Sequence, residues 1–254
     1  MLAANRHQSI LENLEQQGAV RTIDLAKQLN VTDETIRRDL EKLEKENLLQ
    51  RTHGGAVIPS HLNKDRSFAE RSIQNIDSKR RIAVEAGKLI QNGDRIFLDS
   101  SSTALQLAGA IKAKSDITVI TNSSLVIAEL APYSDVELIL AGGVFDRQSQ
   151  SYIGPATLST LQRYRIDKSF FSANGIDEFR GISEINEAQA HIKDFVIPRS
   201  DQAVLLADPT KLGVSSTYFF AQCEELDAIV TCAEGASPLL DNLEQKGVRV
   251  IYAS

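Results

Sequence analysis

Cysteine and tryptophan are scarce in this chain of 254 residues, which contains two cysteines and no tryptophan. Cys223 and Cys232 lack the paired CxxC spacing of zinc sites and do not indicate a disulfide framework. We expect both thiols to be buried in a reducing compartment. No apolar run approaches the roughly 20 residues of a membrane helix, and the N-terminus lacks a signal-peptide core. The sequence therefore predicts a cytoplasmic protein with no metal site and no cofactor.

Positive charge is scarce as well. The net charge is -6 at pH 7, and the first 60 residues contain eight basic and nine acidic side chains. General affinity for nucleic acid depends on lysine and arginine contacts with phosphate, so the overall charge argues against it. Any contact with DNA must come from a few well-placed side chains. The 42% hydrophobic composition is enough to bury a core, and the length suits one large domain or two unequal ones.

Three short amphipathic segments and a glycine hairpin occupy the N-terminal region. Apolar spacing predicts helices from residue 6 to about 18, from 22 to 29, and from 33 onward. The second and third are separated by Asn30-Val31-Thr32, a connection of the length that a helix-turn-helix uses. Further along, Gly54-Gly55 permits a tight hairpin, in which Arg51 and His53 can meet phosphate. This order predicts a winged helix-turn-helix domain over residues 1–58.

The third predicted helix has an apolar face and an outward polar face. The apolar face consists of Ile36, Leu40 and Leu43. Arg38 faces away from the core, Thr35 and Arg37 flank the outward face, and Thr32 is positioned to cap the helix. Such an element suits a major groove, although a solvated surface helix is the favoured explanation of this segment when it is taken alone. For Asp39 we favour a role in orienting an arginine over a contact with a base.

After a polar linker at 59–77, the remaining residues, 78–254, alternate between strand-like and helical segments. Apolar runs predict strands at 95–99, 117–121, 136–140, 169–172, 203–207, 228–231 and 248–252. Strands separated by helices indicate an α/β domain with a largely parallel sheet. In open α/β sheets ligands bind beyond the carboxyl ends of the strands.

Small or polar residues follow five of these strands. With a lysine on the helix that begins near Glu187, they form the candidate ligand site: Asp99, Ser100, Ser101, Ser102, Thr103, Thr121, Asn122, Gly142, Gly143, Gly175, Asp177, Lys193, Asp208 and Lys211. Each loop alone is an ordinary cap or turn, but five at one edge favour a ligand with hydroxyls and a phosphate. The serine and threonine hydroxyls are expected to contact the anion, and Asp99 and Asp177 are expected to contact the sugar hydroxyls. Lys211 is the expected charge partner of the phosphate. For Lys193 a solvated helix face is an equally good interpretation.

The N-terminal residues resemble the DeoR-type bacterial transcriptional regulators. The shared signature includes Arg6 and Ile10, the run Thr35-Ile36-Arg37-Arg38-Asp39-Leu40, and the wing His53-Gly54-Gly55. The combined spacing is specific, unlike a lone helix-turn-helix pattern. The resemblance implies that the third helix enters the major groove of operator DNA. The residues it brings nearest the DNA are Thr32, Thr35, Arg37 and Arg38.

The resemblance extends over the larger domain. DeoR effector domains look like ribose-phosphate isomerases and coenzyme A transferases, and their motifs correspond to 99–103, 121–122, 142–143, 175–177, Lys193 and 208–213 here. Two residues depart from the family pattern: Ser101 replaces a usual glycine, and Asp194 replaces the arginine of a Lys-Arg pair. These departures affect the expected phosphate geometry. Thr210 replaces a serine and keeps the hydroxyl.

These patterns support three hypotheses of unequal weight. The favoured one is a DNA-binding repressor of a sugar-metabolism operon, not an enzyme, controlled by a phosphorylated sugar and assembled as a homodimer or homotetramer. The alternative is a sugar-phosphate isomerase with an appended DNA-binding domain, in which Asp99, Asp177, Glu187 and Lys211 supply acid and base. A redox sensor would depend only on the presence of the two cysteines.

Overall fold

A computed structural model of the chain describes residues 3–17, 19–45, 48–52, 54–57, 67–232 and 237–254. The chain forms two compact units, Met1–Lys64 and Asp65–Ser254, and each is treated by itself below. The second unit begins inside the segment 59–77 for which we predicted a linker. Among the helices of these ranges, none is long and apolar enough to cross a membrane.

The first unit is a winged helix-turn-helix, as predicted. Its elements are α1 (Ala3–Gln17), β1 (Ala19–Arg21), α2 (Thr22–Leu29), α3 (Asp33–Lys45), β2 (Gln50–Thr52) and β3 (Gly55–Val57). The chain turns between α2 and α3 at Asn30, which adopts a left-handed conformation with φ 51°. The Thr32 hydroxyl then accepts from the Thr35 amide at 3.3 Å, the contact expected of an N-terminal cap.

The wing contains a third strand, β1, and the sequence pattern did not predict this strand. The antiparallel order is β1-β3-β2, so β3 lies between β1 and β2. Gly55 sits directly opposite Arg21 in this pairing. A Cβ atom at Gly55 would lie 1.8 Å from the Val20 carbonyl oxygen. The glycine therefore allows the close approach of β1, in addition to the hairpin role predicted for the glycine pair.

Apolar side chains from all three helices and the wing meet in one core. Its buried members are Ile10, Leu14, Val20, Leu25, Ala26, Ile36, Leu40, Leu43, Leu49 and Ala56. Asp39 lies beside this core and accepts from Arg6 Nη2 at 2.9 Å and contacts His7 Nε2 at 3.0 Å. The expectation that Asp39 orients an arginine is correct, and the partner is on α1.

The second unit contains seven helices and twelve strands among its described residues. They are α4 (Phe68–Ile73), α5 (Ile76–Gly87), β4 (Arg95–Leu98), α6 (Ser102–Ala110), β5 (Ile117–Thr121), α7 (Ser124–Leu130), β6 (Val136–Leu140), β7 (Val144–Asp146), β8 (Ser151–Ile153), α8 (Pro155–Leu161), β9 (Ile166–Phe171), β10 (Gly175–Asp177), β11 (Gly181–Glu184), α9 (Glu187–Val196), β12 (Ser200–Leu206), β13 (Tyr218–Ala221), β14 (Ala228–Thr231), α10 (Pro238–Gln245) and β15 (Arg249–Tyr252). Three single turns of 3-10 helix lie at Ile197–Arg199, Pro209–Lys211 and Cys223–Glu225.

Seven of these strands form one parallel sheet, which confirms the predicted α/β class. Their order is β15-β14-β12-β9-β4-β5-β6. The chain builds outward from β4 to β6 and then crosses to the other side of β4 to continue with β9. The order reverses between β4 and β9, and such a switch point opens a crevice at the carboxyl ends of the two strands.

Successive side chains along each strand point to opposite faces of this sheet, so both faces carry apolar residues. Helices cover both faces. Ile96 and Leu98 of β4 pack on one face with Ile82 of α5 and Leu107 of α6. Phe97, between them in sequence, packs on the other face with Leu161, Ile192 and Val196 of α8 and α9. Burial on both faces explains why the central strands are continuous apolar runs.

Asp39→Ala is expected to destabilise the first unit by about 2 kcal/mol, because it leaves the Arg6 guanidinium without its buried partner. Burial opposes ionisation of Asp39, but hydrogen bonds from Arg6 and His7 outweigh it and hold the pKa of the carboxyl below its ordinary value. The loss of stability in Asp39→Ala should therefore be complete at neutral pH and should become smaller as the pH falls from about 4 through the lowered pKa of Asp39. Hydrogen exchange of α1 and α3 peptides would measure it.

The matched control is Glu34→Ala on the same helix, whose exposed carboxylate pairs with Arg38 at the surface. This change should alter stability by about 0.5 kcal/mol or less. Equal effects of the two substitutions would show that the buried pair is not a main stabilising contact of the unit.

Candidate functional site

The outward face of α3 presents the side chains that the sequence predicted to contact DNA. Thr32, Arg37 and Arg38 are exposed, and Thr35 is half-buried with its hydroxyl 2.9 Å from that of Thr32. Arg38 Nε donates to the Glu34 carboxylate at 3.2 Å. A surface ion pair of this kind is worth about 0–1 kcal/mol, so a stronger anionic partner can displace it.

The wing carries one further predicted residue within the described ranges. Arg51 is exposed on β2, and its backbone amide donates to the Glu44 carboxylate at 2.8 Å. This bond attaches the strand to the last turn of α3. His53, the other residue predicted in the wing, lies outside the described residues.

A polar cavity opens in the second unit at the switch point between β4 and β9. Residues that follow β4, β9 and β12 line it, together with residues of α4, α5, β11 and α9. Eight of the predicted ligand-site residues are among them: Asp99, Ser100, Ser101, Ser102, Thr103, Lys193, Asp208 and Lys211. The Ser101 hydroxyl accepts from the Ala104 amide at 3.1 Å and thereby caps α6. The start of a helix favours an anion at this position.

Asp99 links the two strands at the switch point. Its Oδ1 accepts from the Ser101 amide at 3.0 Å, and its Oδ2 accepts from the Ser172 amide at 3.1 Å. The carboxylate, 1% exposed, therefore joins the loop after β4 to the end of β9. These bonds use oxygens that we had expected to bind sugar hydroxyls.

Lys193 is held by two carboxylates. Its side chain is buried, with Nζ 3.3 Å from Asp99 Oδ2, donating to Glu184 and to the Ser172 carbonyl at 2.6 Å. The interpretation of Lys193 as a solvated helix residue is therefore wrong. Its charge is balanced within the protein, so it is a poor candidate for the main charge partner of a ligand.

Two other lysines lie where the cavity meets α5 and the loop after β12. Lys79 is buried, and its Nζ donates to the Arg71 carbonyl. Burial lowers the pKa of Lys79 to about 8, against an opposing contribution from Asp208. Burial also opposes ionisation of Asp208, but Lys211, Thr210 and Lys79 outweigh it and lower the pKa of that carboxyl. Lys79 and Lys211 thus both interact electrostatically with Asp208 in the lining of the cavity.

Comparison with known families identifies the chain. Residues 6–61 match the DeoR-like helix-turn-helix domain, and residues 74–232 match the DeoR C terminal sensor domain. The chain belongs to the DeoR family. The family resemblance seen in the sequence is thereby confirmed, and the protein is a DNA-binding transcriptional regulator.

Relatives in this family are similar along nearly their whole length. The uncharacterized HTH-type transcriptional regulator YulB of Bacillus subtilis is 40% identical, with 98% of this chain and 96% of the relative covered. The HTH-type transcriptional repressor GlcR of B. subtilis is 33% identical over 99% and 96%. The glycerol-3-phosphate regulon repressor of Escherichia coli is 32% identical, with 92% of each chain covered. Among solved structures, ribose 5-phosphate isomerase A from Methanocaldococcus jannaschii has a TM-score of 0.40 and 22% identity, over 54% of this chain and 55% of that chain.

Six predicted ligand-site residues of this DeoR sensor domain do not line the cavity. They are Thr121, Asn122, Gly142, Gly143, Gly175 and Asp177. Thr121 donates to the Leu98 carbonyl at 2.7 Å, and Asn122 donates to the Tyr152 carbonyl at 3.1 Å. These two contacts join neighbouring segments of the main sheet and the β7-β8 hairpin. Asn122, Gly142 and Gly143 follow β5 and β6, on the side of β4 away from the switch point, whereas Gly175 and Asp177 belong to β10, which follows β9.

Gly143, Gly175 and Asp177 have packing roles in the same domain, whereas a Cβ atom at Gly142 would meet nothing within 4 Å. A Cβ atom at Gly143 would lie 2.4 Å from the Thr157 hydroxyl, and one at Gly175 would lie 2.3 Å from the Val214 carbonyl. Asp177 accepts from the Phe179 and Arg180 amides and from Ser215. Gly143 and Gly175 therefore permit the close approach of neighbouring segments, and Asp177 fixes its own loop by hydrogen bonds.

Several cavity residues were absent from the predicted set. They are Arg71, Gln74, Asn75, Lys79, Ser149, Ser172, Asn174, Glu184, Asn186 and Gln189. Some lie in the segment treated as a linker, others lie on elements away from the strand ends that we weighed, and Ser172 and Asn174 lie at a strand end that we did weigh. The four-residue spacing of Arg71, Asn75 and Lys79 does not mark one helical face, because Asn75, at φ 51°, separates α4 from α5. No helical periodicity therefore indicated these three residues.

The alternative functions lack the arrangement they need. Of the four proposed acid–base residues, Asp177 and Glu187 do not line the cavity, and the Asp99 carboxylate is occupied by backbone amides. Both cysteines are buried, and burial raises the pKa of the Cys223 thiol to about 11. A thiol with so high a pKa is a poor redox sensor at neutral pH. The relatives above are named as regulators, not as enzymes.

We expect the affinity of the cavity for sulfate, a tetrahedral dianion, to fall as the pH rises from 7 to 9. The anion needs the ammonium form of Lys79, which deprotonates above pH 8, so binding should weaken by about tenfold if this group dominates. The folded pKa is lowered, so the unfolded chain holds this proton more tightly. The same group should therefore make the unliganded protein more stable as the pH rises from about 8 to 10.5.

Calorimetric titration at several pH values would measure the affinity, and Lys79→Arg supplies the control because arginine stays charged throughout. The pH dependence should disappear in this variant. A profile that is unchanged in Lys79→Arg would mean that another group controls anion binding.

Proposed function

We propose that this DeoR-family regulator is a repressor of a sugar-metabolism operon, controlled by a phosphorylated sugar in the cavity of its sensor unit. The observation that carries the proposal is the pair Lys79 and Lys211 at the cavity, near the start of α6. The cations of this lining, Lys79, Lys211 and Arg71, outnumber its carboxylates, Asp208 and Glu184, which leaves positive charge for a phosphate. The names of GlcR and of the glycerol-3-phosphate regulon repressor also support a sugar-phosphate effector.

In this proposal the two units have separate tasks. Thr32, Thr35, Arg37 and Arg38 of α3 contact bases and phosphates in the major groove, and Arg51 and His53 of the wing contact the backbone. In the sensor unit, Lys79 and Lys211 bind the phosphate with the hydroxyls and amides of residues 101–103. The effector acts through its different affinities for the DNA-bound and free states of the regulator.

We further infer that the regulator works as a homodimer or homotetramer in the cytoplasm. A single winged helix with few basic residues offers limited affinity for DNA, because each phosphate contact contributes only a small part. Two linked copies can bind half-sites that lie one helical turn, or a multiple of it, apart. Analytical ultracentrifugation with and without operator DNA would determine the assembly.

The proposal is tested by footprinting the purified protein on DNA upstream of its own gene and of neighbouring sugar operons. We expect a protected site whose occupancy changes when a sugar phosphate is added. A thermal-shift screen of phosphorylated sugars supplies the ligand, since binding to the native state raises the melting temperature. Absence of any protected site, with and without these ligands, would refute the proposal.

Arg38→Ala is expected to abolish the footprint while leaving stabilisation by the sugar phosphate unchanged. The arginine is exposed and can form a bidentate base contact worth about 1–3 kcal/mol, so its loss removes recognition without disturbing a core. Gel-shift titration measures the first effect and the melting temperature measures the second.

Lys45→Ala is the matched control, because Lys45 is an equally exposed cation paired with Glu41 four residues earlier on the same helix. It lies in the last turn, far from the end that enters the groove, and sequence-specific binding should persist. If Arg38→Ala abolished both activities, the arginine would have a structural role instead.

A further inference from the structure

Arg71 is a cation of the sensor cavity without a counter-ion of its own. It lines both parts of the cavity, the part that contains Lys79 and Lys211 and the part that contains Lys193. Within the described part of the chain its guanidinium forms no ion pair with a carboxylate, and Glu184, which also lines both parts, pairs with Lys193 instead. The charge of Arg71 is therefore available to an anion in the cavity.

One donor of this guanidinium is also without a hydrogen-bond partner. Nε of Arg71 is buried, and no described residue accepts from it. Buried polar groups in proteins are nearly always hydrogen-bonded, so an orphaned donor on a residue that lines a polar cavity indicates a bond that a ligand supplies. Nε and a terminal nitrogen of an arginine together form a fork that binds two oxygens of one phosphate, which a lysine cannot do.

The helix that carries Arg71 is short. α4 has six residues, and its one buried side chain is Phe68, whose ring centroid lies 5.6 Å from the guanidinium. The Phe68 amide donates to the Gln148 carbonyl at 3.0 Å, and beyond the other end of the helix Asn75 donates to Asp208 at 3.2 Å. A helix of this length is not stable alone, so a further contact changes how firmly α4 is held.

We propose that Arg71 binds the phosphate of the effector through its guanidinium fork and that this bond fixes α4 against the cavity. α4 is the first helix among the described residues of the sensor unit, and in the chain it follows the segment that comes from the DNA-binding unit. Arg71 thus conveys occupancy of the cavity to the part of the sensor unit nearest in sequence to that segment. This inference rests on the proposed function, because it assumes a phosphorylated effector.

The physical basis is the reciprocity between ligand binding and the placement of α4. The bond to Arg71 forms only when α4 lies in place, so the ligand and the placed helix stabilise each other by the same free energy. Loss of the fork should therefore weaken phosphate binding and also remove the effect of phosphate on α4. Loss of Lys211, which lies after β12, should weaken binding alone.

Hydrogen exchange and calorimetric titration of the full-length protein at neutral pH test the inference. The probes are inorganic phosphate, glucose 6-phosphate and fructose 6-phosphate, which share the group that Arg71 binds. We expect saturating probe to slow exchange in α4 peptides of the wild type. In Arg71→Gln the Kd should rise at least about tenfold, and the slowing should be absent even at saturation. In Lys211→Gln the Kd should also rise, but saturation should restore the slowing.

Arg80→Gln is the matched control. It removes the same charge from an exposed arginine of α5 that pairs with Asp77 and does not line the cavity. The Kd and the slowing in α4 should both keep their wild-type values. Arg71→Lys keeps the charge without the fork, so its Kd should lie between those of the wild type and Arg71→Gln.

The outcomes separate this inference from the proposed function. Probe binding to the wild type without slower exchange in α4, or an unchanged Kd in Arg71→Gln, overturns the inference while the proposed function stands. Slowing that persists in saturated Arg71→Gln also overturns it. If glutamine at position 71 prevents folding, the wild type and Arg71→Lys decide by the same two measurements. Binding of none of the probes, together with no stabilisation by any other phosphorylated sugar, overturns both proposals.

Discussion

The sensor unit depends on one buried carboxylate that joins two strands which are far apart in sequence. Asp99 accepts from the backbone at the end of β4 and from Ser172 at the end of β9. It also lies against the ammonium of Lys193, which in turn holds Glu184. Sheet order brings these groups to one place, and their hydrogen bonds balance the charges that burial would otherwise penalise. The cavity is thus built around a buried ion cluster that joins its strands.

Much of the fold was predictable because it depends on local periodicity. The strands at 117–121, 136–140 and 228–231 occur where the apolar runs indicated, and the turn at Asn30 separates two helices as expected. β1 was missed because it is three residues long and exists only through its pairing with β3. Such a short strand has no periodicity of its own. It forms because Gly55, which lacks a side chain, allows β1 to pair closely with β3.

The site was predictable only in part, because a sequence pattern does not contain the order of strands in a sheet. All five strand ends were given equal weight, yet the order in which strands are added to the sheet reverses between the parallel neighbours β4 and β9. Residues that follow β4, β9 and β12 therefore line the cavity, whereas Asn122 and Gly142 belong to the other half of the sheet. Lys79 was missed for another reason: its helix precedes the first strand and lies over the strand ends only after folding.

Inward and outward side chains alternate closely on α3. Ile36, Asp39 and Leu40 are buried, while the neighbouring Arg37 and Arg38 are exposed. The core of the first unit and its exposed surface therefore depend on different side chains of one helix. A substitution of an outward residue leaves the buried contacts of α3 in place, so the exposed face can vary on an unchanged scaffold.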